Sequence, residues 1–170
     1  MRTFLLNTTV AILTFSVWTN ILANPAAQDP VPSRWRKTDA HGKFTFYLPP
    51  EMWDTGSQGI ENLHGEYTNG RMHLSYDYEP YGYLAYENRA RAFGKDFQEI
   101  ELQVDGKKSF LFIYQGLDRK KRRTYNADLY VGDIPNHAPL LSMHVSSRSA
   151  RYIETAKTIF RTIKFPSSKS

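Results

Sequence analysis

The sequence predicts an α+β domain: a single, mostly antiparallel sheet of about six to seven strands, covered by a C-terminal helix and a shorter helix. Three observations carry that expectation. Short segments alternate apolar and polar residues, the period of a half-buried strand. Two intervals between such segments hold Asn69-Gly70 and Asp105-Gly106, dipeptides suited to tight hairpin turns. Near the C-terminus the apolar spacing becomes helical, at Ile153, Ala156, Ile159 and Phe160.

The elements follow in chain order. Met1 and Arg2 give a positive start, Phe4 to Trp18 is a mostly apolar run, and small residues follow at Ala23, Ala26 and Ala27. That order is the pattern of a secretory signal peptide. The run is shorter than the about 20 apolar residues of a membrane-spanning helix. Residues 1–23 are therefore expected to be removed, with cleavage at Ala23 or Ala27, leaving a periplasmic or secreted chain without a transmembrane helix. Residues 24–40, rich in Pro and small residues, read as a flexible tether. Trp35 is the exception, placed to cover a sheet edge. One α+β domain then spans 41–165, and 166–170 is a disordered tail.

Within the domain, Phe44, Phe46 and Leu48 share one side of a strand that Pro49-Pro50 ends. Met52 and Trp53 are expected to pack on the core. Leu63–Thr68 and Arg71–Tyr78 flank Asn69-Gly70, a pair suited to positive φ at both central positions of a type I′ turn. Leu84–Phe93 is a short helix stopped by Gly94. Ile100–Val104 and Ser109–Gln115 flank Asp105-Gly106, and the second of these is apolar on both sides, as a covered inner strand requires. Tyr125–Val131 and Leu140–Ser146 are further strands. Ser147 or Ser149 caps the last helix, and Thr162–Phe165 leaves it as an edge strand before Pro166.

Three stretches carry a family resemblance: FTFYLPPEMW at 44–53, GIENLHGEYTNGRMHLSYDY at 59–78 and AKTIFRTIKF at 156–165. Together they resemble small exported bacterial domains of unknown function related to the PsbP-like α/β/α sandwich. In such domains an early strand ends in Leu-Pro plus an aromatic residue, and a closing helix runs into a short Ile-x-Phe strand. The resemblance spans 43–165. It implies a fold and transfers no active site, because the shared motifs are packing motifs.

Composition narrows the function. The chain has no cysteine, which excludes disulfides, a lipid-anchoring thiol, a thiol nucleophile and thiolate metal sites. A disulfide-free exported domain fits a bacterial source. The formal net charge of +5 equals the five adjacent cations Arg119, Lys120, Lys121, Arg122 and Arg123. The basicity is thus one local patch, suited to a polyanionic surface, whereas nucleic-acid binders spread charge over a face or helix. Tyr81, Tyr83 and Tyr86 lie in a tyrosine-rich stretch with flat apolar faces and polar tips, suited to partner contact.

Candidate chemistry is sparse. His41, His64, His73, His137 and His144 show no metal-binding spacing. His73, Asp77 and His144 have the residue types of an open zinc or copper site, but ordinary polar residues on a half-wet sheet account for them, and no metal is expected. Gly56-Ser57-Gln58-Gly59 is one residue short of a nucleophile elbow and precedes no helix. Carboxylate pairs such as Glu61/Glu66 or Asp128/Asp133 have no separation fixed by the sequence. No catalytic residue and no cofactor is expected. The reading is an exported, non-enzymatic binding or accessory domain for a protein or envelope component. The alternatives are a small metal-dependent or hydrolytic periplasmic enzyme, and an envelope protein attached to anionic surfaces through residues 119–123.

Overall fold

In the computed structural model of the chain, residues 31–56, 63–79, 95–132 and 139–167 are described. Alternation builds the core first. Strand β2 (Phe44–Leu48) buries Phe44, Phe46 and Leu48 and half-exposes the residues between them. It pairs antiparallel with β1 (Arg36–Ala40), Arg36 opposite Leu48 and Ala40 opposite Phe44. The stretch expected as the end of a tether is therefore ordered by backbone pairing. Its side chains are mostly exposed, so it carries no apolar alternation to announce it. Trp35 is partly buried against the core, as its size suggests.

Among the described residues the main sheet has seven strands in the order β3-β4-β5-β9-β8-β7-β6, every neighbouring pair antiparallel. They are β3 (Trp53–Asp54), β4 (Leu63–Thr68), β5 (Met72–Tyr78), β6 (Lys95–Val104), β7 (Lys107–Leu117), β8 (Arg123–Val131) and β9 (Leu141–Ser147). Helix α1 (Tyr152–Arg161) buries Ile153, Ala156, Ile159 and Phe160. The antiparallel sheet and its C-terminal helix agree with the fold class expected from the sequence. The shorter helix expected at 84–93 lies outside the described residues. Beside β3, Met52 is buried, but Trp53 is 54% exposed rather than packed on the core.

One face of the main sheet holds the core, with Tyr67, Met72, Leu74, Tyr76, Leu129, Met143 and Val145 packed in one cluster with β2 and α1. After the helix, the chain bridges Thr45 through Lys164, and Tyr47 N–H donates to Thr162 Oγ1 at 2.9 Å. The segment after the helix thus ties α1 and β2 together. Phe165 N–H and Lys164 Nζ both reach the Asp105 carboxylate, at 2.8 and 3.0 Å, pinning the β6–β7 turn.

The two hairpin turns differ. Asp105 and Gly106 both take positive φ, 50° and 75°, and join β6 to β7 as a two-residue turn. At the first hairpin only Gly70 does, with φ 75°. Asn69 N–H donates to the Met72 carbonyl at 3.2 Å, while Asn69 Oδ1 accepts from the N–H groups of Arg71 and Met72. The central pair is Gly70-Arg71, with glycine first, as in II′ rather than I′ turns. The helix start also departs from expectation. Arg151 precedes the helix with no side-chain cap, and Ser147 Oγ instead accepts from Ser149 N–H at 3.1 Å and donates to the Arg71 carbonyl at 2.8 Å.

Gly65 has a packing reason. It stands opposite Tyr76, whose ring lies across it, so that a Cβ at Gly65 would sit 2.5 Å from the ring carbons. That ring meets Phe44 and Phe46 edge-on, with centroids 5.1 and 5.9 Å away. Gly65→Ala is therefore expected to cost about 1–3 kcal/mol through overpacking, measurable by urea denaturation. A change within a few tenths of a kcal/mol would show that the ring moves aside freely.

Candidate functional site

The face of the sheet opposite the core carries the chain's clustered polar chemistry. Strand alternation sends His64, Glu66 and Thr68 of β4 there, with His73, Ser75 and Asp77 of β5 and Ser142, His144 and Ser146 of β9. Register aligns them in rows. Glu66, Ser75, His144, Asp128 and Phe112 stand side by side across β4, β5, β9, β8 and β7. The adjacent row runs His64, Asp77, Ser142, Tyr130 and Phe110.

The described histidines on this face each meet a carboxylate. His64 Nδ1 lies 2.8 Å from Asp77 Oδ1, and its Nε2 lies 3.3 Å from Glu66 Oε1. His73 Nε2 is 3.7 Å from Glu66 Oε2. His144 Nδ1 bonds Asp128 Oδ1, and Tyr114 Oη donates to Asp128 Oδ2 at 3.0 Å. The Asp128 side chain is only 9% exposed, whereas that of His144 is 40% exposed. Asp128 thus anchors a histidine that remains accessible to solvent. Ser75 faces His144 across the β5–β9 pair and makes no hydrogen bond to it.

These pairs set the protonation behaviour. Burial opposes charging His64, but hydrogen bonds to Asp77 and Glu66 and their charges outweigh it, so His64 titrates above its ordinary 6.5. His144 also titrates above 6.5: burial opposes its charge, and the Asp128 carboxylate prevails. Glu66 is held below its ordinary value, because the hydrogen bond from His64 and the positive character of His73 and His64 overcome burial. Burial and the adjacent Asp128 push the Tyr114 hydroxyl up, keeping it a neutral donor.

The sequence-derived site residues separate. His73, Asp77 and His144 do share the face, but each is engaged with a different carboxylate or imidazole: Glu66, His64 and Asp128 respectively. Among the described residues no group of three His, Asp or Glu is placed to hold a metal ion. His64 and Asp128 carry much of the network, and sequence reasoning left both outside the metal set. The cross-strand register that brings them to their partners is the signal that would have found them. Tyr81, Tyr83, Tyr86 and His137 lie outside the described residues. The other half of the face is apolar: Phe112 and Tyr130 are buried, with Phe97 stacked on Phe112 at 5.7 Å.

The basic run forms the β7–β8 turn. All five cations are exposed. Asp118 organises the turn: its Oδ1 accepts from the N–H groups of Lys120 and Arg122, at 2.8 and 2.9 Å. Arg122 Nε donates to Asp118 Oδ2 at 2.8 Å, and Lys121 takes a positive φ of 58°.

Fold and face together define an α+β sheet domain with one side sealed by apolar packing and the other bearing a polar, ion-paired network. No family model and no curated protein matches the chain. Among solved structures, it is similar to cyanobacterial PsbP (CyanoP) from a Synechocystis species, at 13% identity over 79% of this chain and 94% of that one, with a TM-score of 0.48. It is also similar to LpqN, described as involved in cell envelope biogenesis of Mycobacterium tuberculosis, at 13% identity over 81% of this chain and 82% of that one, with a TM-score of 0.35. The first bears the PsbP name of the family that the three sequence stretches resemble. Among the described residues no helix is long and apolar enough to cross a membrane.

Proposed function

We propose that this chain is an exported, non-enzymatic accessory domain that holds a protein or envelope component on the open face of its sheet. The observation that carries the reading is the paired state of that face. Both ring nitrogens of His64 are engaged by carboxylates, and Asp128 is shared by His144 and Tyr114. Groups so satisfied are poor proton shuttles and metal ligands, yet they form a preorganised pattern of donors and acceptors for a partner. The signal-peptide pattern at residues 1–23 supports placement outside the cytoplasm.

The test is site-specific photo-crosslinking in cells. A photoreactive residue at Ser75 or Ser146, on the open face, is expected to capture a discrete macromolecule from the envelope fraction. The same residue at Lys157 on α1 is expected to capture none. Equal capture from both sides, or none from the open face, overturns the reading. A hydrolytic alternative draws on the row Ser75, His144 and Asp128. It requires an ester- or amide-cleaving activity that Ser75→Ala abolishes while leaving stability unchanged.

A further inference from the structure

The β7–β8 hairpin outruns β9. Among the described residues, the last of β7 to pair with β6 is Gln115, and the first of β8 to pair with β9 is Tyr125. Among the described residues Gly116, Leu117, Arg123 and Thr124 pair only with each other, and on the β9 side they carry the turn past the last paired residue. Leu117 is 70% exposed, the most exposed of the large apolar side chains described, and stands directly opposite Arg123. Asp118 is the turn's acid, and it is spent on Arg122 at 2.7 Å. Arg119, Lys120, Lys121 and Arg123 have no ion-pair partner among the described residues.

An exposed leucine opposite Arg123, on a turn whose other cations Arg119, Lys120 and Lys121 have no ion-pair partner among the described residues, suits one chemistry better than its rivals. A hydrated acidic polysaccharide would use the charge and leave Leu117 exposed. A bilayer rich in anionic headgroups uses both, because cations sit at the phosphate level while the apolar side chain enters the acyl boundary. The Asp118 bonds hold the turn in shape, so little ordering is required on docking. We infer that the β7–β8 tip is a docking point for an anionic phospholipid surface, with Arg119, Lys120, Lys121 and Arg123 binding headgroups and Leu117 inserting. This site is separate from the open sheet face and stands or falls independently of it.

The absence of cysteine permits a local test in the full chain. Leu117→Cys, labelled with an environment-sensitive fluorophore, is titrated with phosphatidylcholine vesicles containing phosphatidylglycerol and with phosphatidylcholine alone. The expected result is a blue shift with the anionic vesicles only, reversed as salt rises and screening shortens the electrostatic reach. Inorganic phosphate is expected to give no shift. In vesicle sedimentation of the unlabelled chain, the Arg119→Ser/Lys120→Ser/Lys121→Ser variant is expected to bind about a hundredfold more weakly, roughly fivefold per cation. Leu117→Ser is expected to weaken binding several-fold. Removing the same charge at the exposed Arg34, Lys37 and Arg148 is expected to leave the tip signal intact. Any segment elsewhere that adsorbs to vesicles is common to all variants, so the comparison reads the tip alone. Unchanged sedimentation of the tip variant overturns the inference, as does an equal blue shift with uncharged vesicles. Retention on heparin without vesicle binding also overturns it, in favour of a polysaccharide partner.

Discussion

Asp128→Ala is expected to lower the unfolding free energy by about 2–4 kcal/mol at neutral pH. The carboxylate is nearly buried and serves Tyr114 Oη and His144 Nδ1 together. Removing it leaves a half-buried phenol without its acceptor and an imidazole without its counter-charge. The figure falls below that of a fully buried ion pair because His144, 40% exposed, can recover water. Asp128→Asn retains an acceptor for Tyr114 and loses the charge, so it is expected to cost less and to isolate the electrostatic part. In that variant burial alone acts on His144, and its pKa is expected to drop from above 6.5 to below it. Histidine titration by NMR reads this directly; an unmoved His144 would refute the pairing.

The same pairs give stability a pH profile with a definite sign. His64 and His144 have folded pKa values raised above 6.5. Their contribution is complete below 6.5 and is lost as pH rises through the folded values. Glu66 is lowered from 4.5, so its contribution is present above 4.5 and is lost as pH falls through the folded value. Stability is therefore expected to peak between these limits, and to decline as pH rises from 6.5 through the raised folded values of His64 and His144. Asp128→Asn is expected to flatten the alkaline side by removing the His144 share, leaving that of His64.

What the sequence could disclose depended on which force placed each residue. Phe44, Phe46 and Leu48, or Ile153, Ala156 and Phe160, are placed by burial, and burial leaves a periodic trace in one stretch of chain. Arg36–Ala40 is placed by backbone hydrogen bonds to β2 with mostly exposed side chains, so it left no such trace. The ion pairs depend on register, which a single turn sets. With Asn69-Gly70 at the centre of the first hairpin, Glu66 would face His73 and His64 would face Ser75. The Asn69 side chain caps the turn and moves its centre to Gly70-Arg71, which sets His64 against Asp77 and Glu66 against Ser75. The His144–Asp128 pair needs the β8–β9 register, and residues 133–138 between those strands gave no turn signal to count from. The basic run was visible because it is contiguous; its Asp118 brace and its exposed Leu117 neighbour required coordinates.

Phe46→Ala is expected to be strongly destabilising, at about 3–5 kcal/mol. Phe46 is wholly buried and touches three aromatic rings. Its ring stacks near Phe44 at 5.7 Å and meets Tyr67 and Tyr76 edge-on, each at 5.9 Å. It lies midway along β2, the strand that pairs with β1 on one side and bridges Lys164 on the other. Truncation removes the ring's transfer free energy and leaves a cavity between rings whose positions are mutually fixed, so collapse recovers little. For a domain of this size the loss corresponds to roughly 10 °C in Tm. Phe46→Leu retains most of the volume and is expected to cost less than half as much, losing chiefly the edge-on ring contacts. Hydrogen exchange adds a spatial reading. If Phe46 holds the β1–β2 layer onto the main sheet, the Tyr47 amide, bonded to Thr162 Oγ1, loses protection together with the Lys164 amide that bonds Thr45. Loss confined to β2, with the C-terminal segment still protected, would mean that the helix and its Ile-x-Phe tail dock on the sheet without the strand's help.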